Sequence, residues 1–516
     1  MPIVAGVADV MRDEPAGKAV GVPSPLPAHV KGGAAMNRIQ PPRGLTPARP
    51  NRADRPETLN DARDNWGLRQ PKNRNSFIFV LPEGRACENL LTGKSHRGSG
   101  GAKMMKIRTW LPVAMVLVLG ACGAKPTEKG TDLSKANTTY QNELMEKLID
   151  ARPGTVIEIP AGVFTIDTSL SLAVDGVTIR GQGMDKTILN FRNQAAGAQG
   201  LLVTASNFTI EDLALEDTKG DALKINEGEN IIVRRIRTEW TQGPKTENGA
   251  YGIYPVQTKN VLIEDSVAIG ASDAGIYVGQ SRNVVVRRNR AEFNVAGIEI
   301  ENCIDADVYE NLATNNTGGI LVFNMPQLQQ AGYRTRVYNN RSVANNTRNF
   351  GHAGTPVASV PAGTGVIVNS NDQVEIFDNE IADNKTANII ISSLFSAGYS
   401  DSAMNGDFDP YPEAILIKDN RFSGGGNSPD GMDLQALRVA KFGPTGRFPD
   451  IVWDGYVNPR RLVNGQLPAA LRLCIDNGEA GVLNVDGPNK YANPNTDMTP
   501  HKCTLPRLSP VILPGA

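Results

Sequence analysis

Lys224, Tyr254, Tyr277, Glu299 and Leu321 occupy one register of successive short segments, each just after an apolar residue that reads as buried. A cation, two phenols and a carboxylate in line on one exposed face could hold an acidic sugar. Uronate elimination or epimerisation needs a cation at the carboxylate and a base at the adjacent carbon. Lys224 would neutralise, and Tyr277 or Glu299 would move the proton. Glu301 shares the face of Glu299, two residues on, and paired carboxylates also suit glycoside hydrolysis. The catalytic candidates are therefore Lys224, Tyr277, Glu299 and Glu301, and the candidate substrate contacts are Tyr254, Asp273, Gln280 and Asn302. No Cys or His spacing predicts a metal, although Asp273 could help bind calcium, which takes several oxygen ligands. The plain alternative for the whole column is a solvated strand face.

The elements that must carry these residues repeat. Val286-Arg287-Arg288-Asn289 returns as Val308-Tyr309-Glu310-Asn311, Val337-Tyr338-Asn339-Asn340, Ile376-Phe377-Asp378-Asn379 and Ile417-Lys418-Asp419-Asn420. From Ile210 the anchors step by 23, 30, 23, 22, 29, 39 and 41 residues, a short period with insertions that marks a solenoid. Alternation with period two around each anchor makes the segments half-buried strands. A second strand set runs in step: Gly275 to Val278, Gly297 to Ile300, Gly319 to Val322 and Gly365 to Val368. Short strands and tight turns in rungs of about 22 residues predict an all-β parallel β-helix of roughly nine or ten rungs. The Asn column is expected to hydrogen-bond from rung to rung, with Asn taking left-handed turn geometry. Gln257, Gln280, Asn302 and Asn324 form a second polar column. The insertions after Asn324 and Asn346, with Arg334, Asn349 and His352, would wall the outer face.

A solenoid needs caps. Thr138 with Gln141 predicts a capping box, and Leu144, Met145, Leu148 and Ile149 a short helical stripe before Pro153-Gly154. The anchors stop near Asp430, so residues 137–430 are assigned to the coil and 431–516 to an irregular C-terminal cap. Cys474 and Cys503 flank that cap and are positioned to staple it, while Cys303 sits at a rung position as a small buried hydrophobe.

Residues 1–103 are rich in Arg, Pro, Gly and Asn and lack apolar periodicity, so they read as a disordered or non-native extension. Residues 104–121 have a basic start, the apolar run Trp110 to Leu119 and small residues before Cys122, the order of a secretory signal. The run is too short to span a bilayer. Leu119-Gly120-Ala121-Cys122 resembles the bacterial lipobox. That resemblance implies lipidation at Cys122, a linker over 122–136 and an outer-membrane anchor in the bacterial envelope. The formal net charge of −1 makes no case for nucleic acid.

Ile159-Pro160-Ala161-Gly162-Val163-Phe164 and Gly181-Gln182-Gly183-Met184-Asp185-Lys186-Thr187-Ile188-Leu189 resemble the opening rungs of pectate-lyase-like right-handed β-helices. Ser272 to Ser281, Asn294 to Asn302 and Thr317 to Asn324 resemble the bacterial parallel β-helix repeat proteins over residues 135–505. The resemblance implies a right-handed coil and, through the wider superfamily of lyases, hydrolases and epimerases, a polysaccharide partner. Neither the Asp-Pro-His-Asp motif of the epimerases nor the paired Asp of polygalacturonases is present. The expected function is an envelope lipoprotein that binds, and as an enzyme would modify, polysaccharide. The alternative is a structural or assembly lipoprotein that contacts another envelope protein.

Overall fold

The computed structural model describes residues 130–397 and 408–514. The expected signal, Cys122, the extension 1–103 and most of the linker lie outside the described residues. Among those described, no helix is long and apolar enough to cross a membrane.

Each rung lays down three strands. Arg282–Arg287, Arg290–Glu292 and Ala296–Glu301 make one rung, and each pairs in parallel with its counterpart in the next: Ile304–Tyr309, Leu312–Thr314 and Gly318–Phe323. Third strands alone build an 11-stranded sheet from Leu170–Leu172 to Val482–Asn484. First and second strands merge into one 19-stranded sheet, because Phe208–Glu216 and Glu229–Glu239 run through both positions. Ten steps of about 4.8 Å give the third-strand sheet a height of roughly 48 Å. Alternation decides what faces inward. Val284, Val286, Ala291, Ile298 and Ile300 are fully buried in the column that fills the coil.

The first and second strands meet at a tight corner. There the left-handed residue is the one before the ladder Asn, not the Asn itself: Arg288, Glu310, Asn339, Asp378 and Asp419 all have φ between 52° and 56°. This corrects the expected turn geometry. The bend frees each Asn to point inward, where its N–H and Nδ2 both donate to Oδ1 of the Asn one rung on. The chain of bonds runs from Asn289 through Asn311, Asn340, Asn379 and Asn420 to Asn477. A second ladder, Asn294, Asn316, Asn345 and Asn384, follows five residues later at the next corner.

The coil does not stop at 430. Ile415–Lys418 pairs with Leu473–Asp476, and Ile451–Trp453 pairs with Val482–Asn484. Long insertions, one containing the helix Met432–Phe442, break the sequence period without breaking the stacking. The N-terminal cap is the helix Tyr140–Ile149, whose Tyr140, Leu144 and Leu148 cover the first rung. Ile149 is exposed. The Thr138–Gln141 capping box does not form. Asn137 Oδ1 accepts the N–H groups of Thr139 and Tyr140 instead, and Gln141 reaches Asp167. At the other end Cys474 and Cys503 are joined, with Cα atoms 5.0 Å apart. Cys303 is buried and unpaired, its thiol directed at the Val278 carbonyl.

Candidate functional site

Strand pairing in the third-strand sheet brings the sequence-selected residues together. Tyr254 pairs with Lys224, Tyr277 with Glu299, and Glu299 with Leu321. Ile253 pairs with Ile276, so Tyr254 and Tyr277 are also neighbours on the outer face. One column over, Val256, Gly279, Glu301 and Phe323 align.

Gly279 shapes this face. A Cβ there would stand 2.4 Å from the Tyr277 ring, so only glycine lets the phenol lie across that position. The Tyr277 hydroxyl then reaches the next rung and donates to Glu301 Oε1 at 2.7 Å. Tyr251, at the opening of its strand, completes an aromatic trio with Tyr254 and Tyr277, ring centroids 4.5–4.9 Å apart. Its hydroxyl donates to Asp273 at 3.3 Å. The Lys224 ammonium lies over the Tyr254 ring, 4.9 Å from its centroid.

The face is less open than the sequence predicts. Tyr277 is 5% and Glu299 4% exposed, and Lys224, Tyr254, Asp273 and Glu301 are half-buried. The tyrosines crowd one another, and the insertion after Asn346 packs Val357 and Val360 into an outer apolar cluster with Leu321, Phe323 and Tyr277. Asn349 braces that insertion through the carbonyls of Val357 and Val360.

Burial separates the carboxyl groups. Glu299 lies at the floor, its Oε2 without a hydrogen-bond partner, and burial, then Asp273 and Glu301, raise its pKa well above the ordinary range. Burial and the neighbouring Glu301 push Asp273 up to about 8. Glu301 rises only to about 6, because the Tyr277 hydroxyl stabilises its charged form against burial. Glu299 thus holds its proton to higher pH than Glu301 does. Asp221, just before strand Leu223–Asn226, is pushed by burial to about 6.

Some expected residues fall elsewhere. Gln280 and Asn302 occupy the left-handed turn after the third strand, not the face. Asn302 donates to the carbonyls of Met325 and Gln330 and accepts the Met325 N–H, fastening the 325–332 insertion, where Gln280 accepts a long bond from Gln329. Arg334 sits on the other sheet, paired with Asp305. Sequence reading passed over Tyr251 and Asp221. For Tyr251 the signal was its place at the head of the segment Tyr251-Gly252-Ile253-Tyr254. Asp221 had none, since its role depends on neighbours in later rungs.

The family described as "Right handed beta helix region" matches residues 175–341. Among solved structures, the A-module of mannuronan C-5 epimerase AlgE6 from Azotobacter vinelandii aligns at 17% identity and TM-score 0.41, over 62% of this chain and 87% of that one. The AlgE4 A-module from the same organism aligns at 19% and 0.36, over 58% and 83%. An alginate lyase from Paenibacillus sp. str. FPU-7 aligns at 14% and 0.28, over 55% and 94%. A comparison with curated proteins finds no match. Three-strand rungs stacked in parallel, with that match over residues 175–341, give this chain the right-handed parallel β-helix fold.

Proposed function

We propose that the outer face of the third-strand sheet binds a polysaccharide and cleaves its glycosidic bonds, with Glu299 as the acid and Glu301 as the base or nucleophile. The observation that carries this reading is the pair itself. Two carboxyl groups stand two residues apart on one strand face, one buried without a partner and the other held charged by a phenol. Glycoside hydrolysis needs that division: a protonated acid for the leaving oxygen and a carboxylate for the anomeric centre. The trio of Tyr251, Tyr254 and Tyr277 offers broad amphipathic surfaces against which pyranose rings can pack.

Charge narrows the substrate. Of the acids at this face, Asp221 and Glu301 lose their protons first, near 6, and the one cation, Lys224, already lies over Tyr254. A polyuronate would meet like charge here, so a neutral polysaccharide suits the face better. The order of residues 104–122 supports a lipid-anchored protein of the bacterial envelope, and acylation of Cys122, read by mass spectrometry of the N-terminal peptide, tests that address.

The test of function is a panel of neutral and uronate polysaccharides, scored for binding and for new reducing ends. Glu299→Gln and Glu301→Gln should each lose roughly 10²–10⁴-fold in turnover while keeping binding. Binding without turnover in the parent protein would leave a glycan-binding module. No binding at all would favour the assembly-lipoprotein reading.

A further inference from the structure

A second group of acids lies away from the tyrosine face. Asp372 opens the first strand Asp372–Phe377, and Asp409 and Glu413 lie in the segment leading into the next first strand, Ile415–Lys418. The two segments are tied by Gln373 N–H to the Glu413 carbonyl at 2.9 Å and by Glu413 N–H to Asp372 Oδ1 at 3.0 Å. One carboxylate oxygen from each of the three acids lies within 4.8 Å of the other two. Among the described residues this is the one trio of acidic side chains that converges so closely.

The partners present do not satisfy it. Glu413 is 3% exposed, yet its Oε1 accepts no hydrogen bond. The nearby guanidinium of Arg461 stands 3.8 Å from Glu413 Oε2 and 4.0 Å from Asp409 Oδ2, beyond hydrogen-bond reach. Asp409 otherwise takes bonds of 3.2 Å from Tyr411 N–H and 3.3 Å from Asn458 Nδ2. A buried carboxylate with an unpartnered oxygen, on a side chain that converges with two further carboxyl groups, is costly unless a cation answers it.

We propose that Asp372, Asp409 and Glu413 form a binding site for a divalent cation of the calcium class, which pins the segment before Ile415 to the rung beneath it. Calcium takes oxygen ligands at about 2.3–2.6 Å, so two of its ligands can stand up to about 5 Å apart, as these do. Magnesium binds at about 2.0–2.1 Å and would have to draw the widest pairs inward.

Calorimetric titration of the chelator-treated full chain with calcium chloride, and in parallel with magnesium chloride, tests the proposal. One calcium should bind per chain, raise Tm, and bind at least tenfold tighter than magnesium. Asp372→Asn and Glu413→Gln should each weaken calcium at least tenfold, while Glu301→Gln should leave it unchanged. Should the first two variants fail to fold, terbium luminescence on the parent chain decides. Emission should be displaced by calcium and strongly reduced in Asp409→Asn, whose side chain is only half-buried. The proposal is overturned by no saturable calcium binding in the parent chain, or by parent affinity in both acid variants. Loss of binding in Glu301→Gln, or undiminished terbium emission in Asp409→Asn, also overturns it.

Discussion

Glu299 and Glu301 have the same side chain and nearly the same place, yet they hold their protons unequally. Both are raised by burial, but Asp273 and Glu301 raise Glu299 further, while the Tyr277 hydroxyl reaches Glu301 and not Glu299. Turnover should therefore rise with pH as Glu301 loses its proton near 6 and fall in alkali as Glu299 loses its own. A pH–rate profile checks this, and Glu301→Gln should abolish the acidic limb. The same shifts bear on stability. Asp273 binds its proton more tightly folded, up to about 8, than an ordinary Asp does unfolded, near 3.8. Between those values the folded state holds more protons, so this group's contribution to stability is full below about pH 4 and lost as pH rises through 8. Thermal melts of Asp273→Asn should accordingly match the parent near pH 4 and show a higher Tm at pH 8. Gly279→Ala gives a third outcome. Its new methyl collides with Tyr277, so glycan binding should fall and the acidic limb should shift above 6, with the coil intact.

At the scale of the strand and its corner, the inward Asn ladders hold the rungs in register. Asn340 is at the middle of one. Its Oδ1 accepts two bonds from Asn311, and it donates to Asn379 Oδ1 and the Val308 carbonyl. Alanine there strands buried donors and a carbonyl at once. Asn340→Ala should cost about 3 kcal/mol by urea unfolding, well above the few tenths typical of a surface change. The ladder was legible because its spacing repeats the strand period, whereas the second ladder, always five residues on, carries the same signal less conspicuously.

Across the whole coil, distant segments are clasped by charge. The segment after Cys503 runs over the first-strand sheet. Arg507 and the Leu508 N–H bond to Glu375, and the Val511 N–H bonds to Asp307, two rungs away. Asp307 and Glu375 are both buried, with Arg336 between them in register. Deleting residues 505–516 should lower stability by roughly 1–3 kcal/mol, part of the loss returned as water reaches the freed carboxylates. Urea unfolding measures the loss, and turnover on the tyrosine face should be unchanged.

The sequence alone determined the coil, since a buried column inside stacked strands demands apolar residues at every second position and a constant step between rungs. It also determined which residues share the outer face, because equal offsets from successive anchors become neighbours once strands pair in parallel. It misplaced the end of the coil, because insertions as long as 424–450 erase the step while the strands on either side still stack. Burial was not legible either. The covering of Glu299, the reach of Tyr277 over Gly279, and the convergence of Asp372 with Asp409 and Glu413 depend on loops and rungs that meet only in the folded chain. Periodicity records which way a side chain points. What then lies over it, and hence whether it keeps its proton, is decided only when the chain has closed around it.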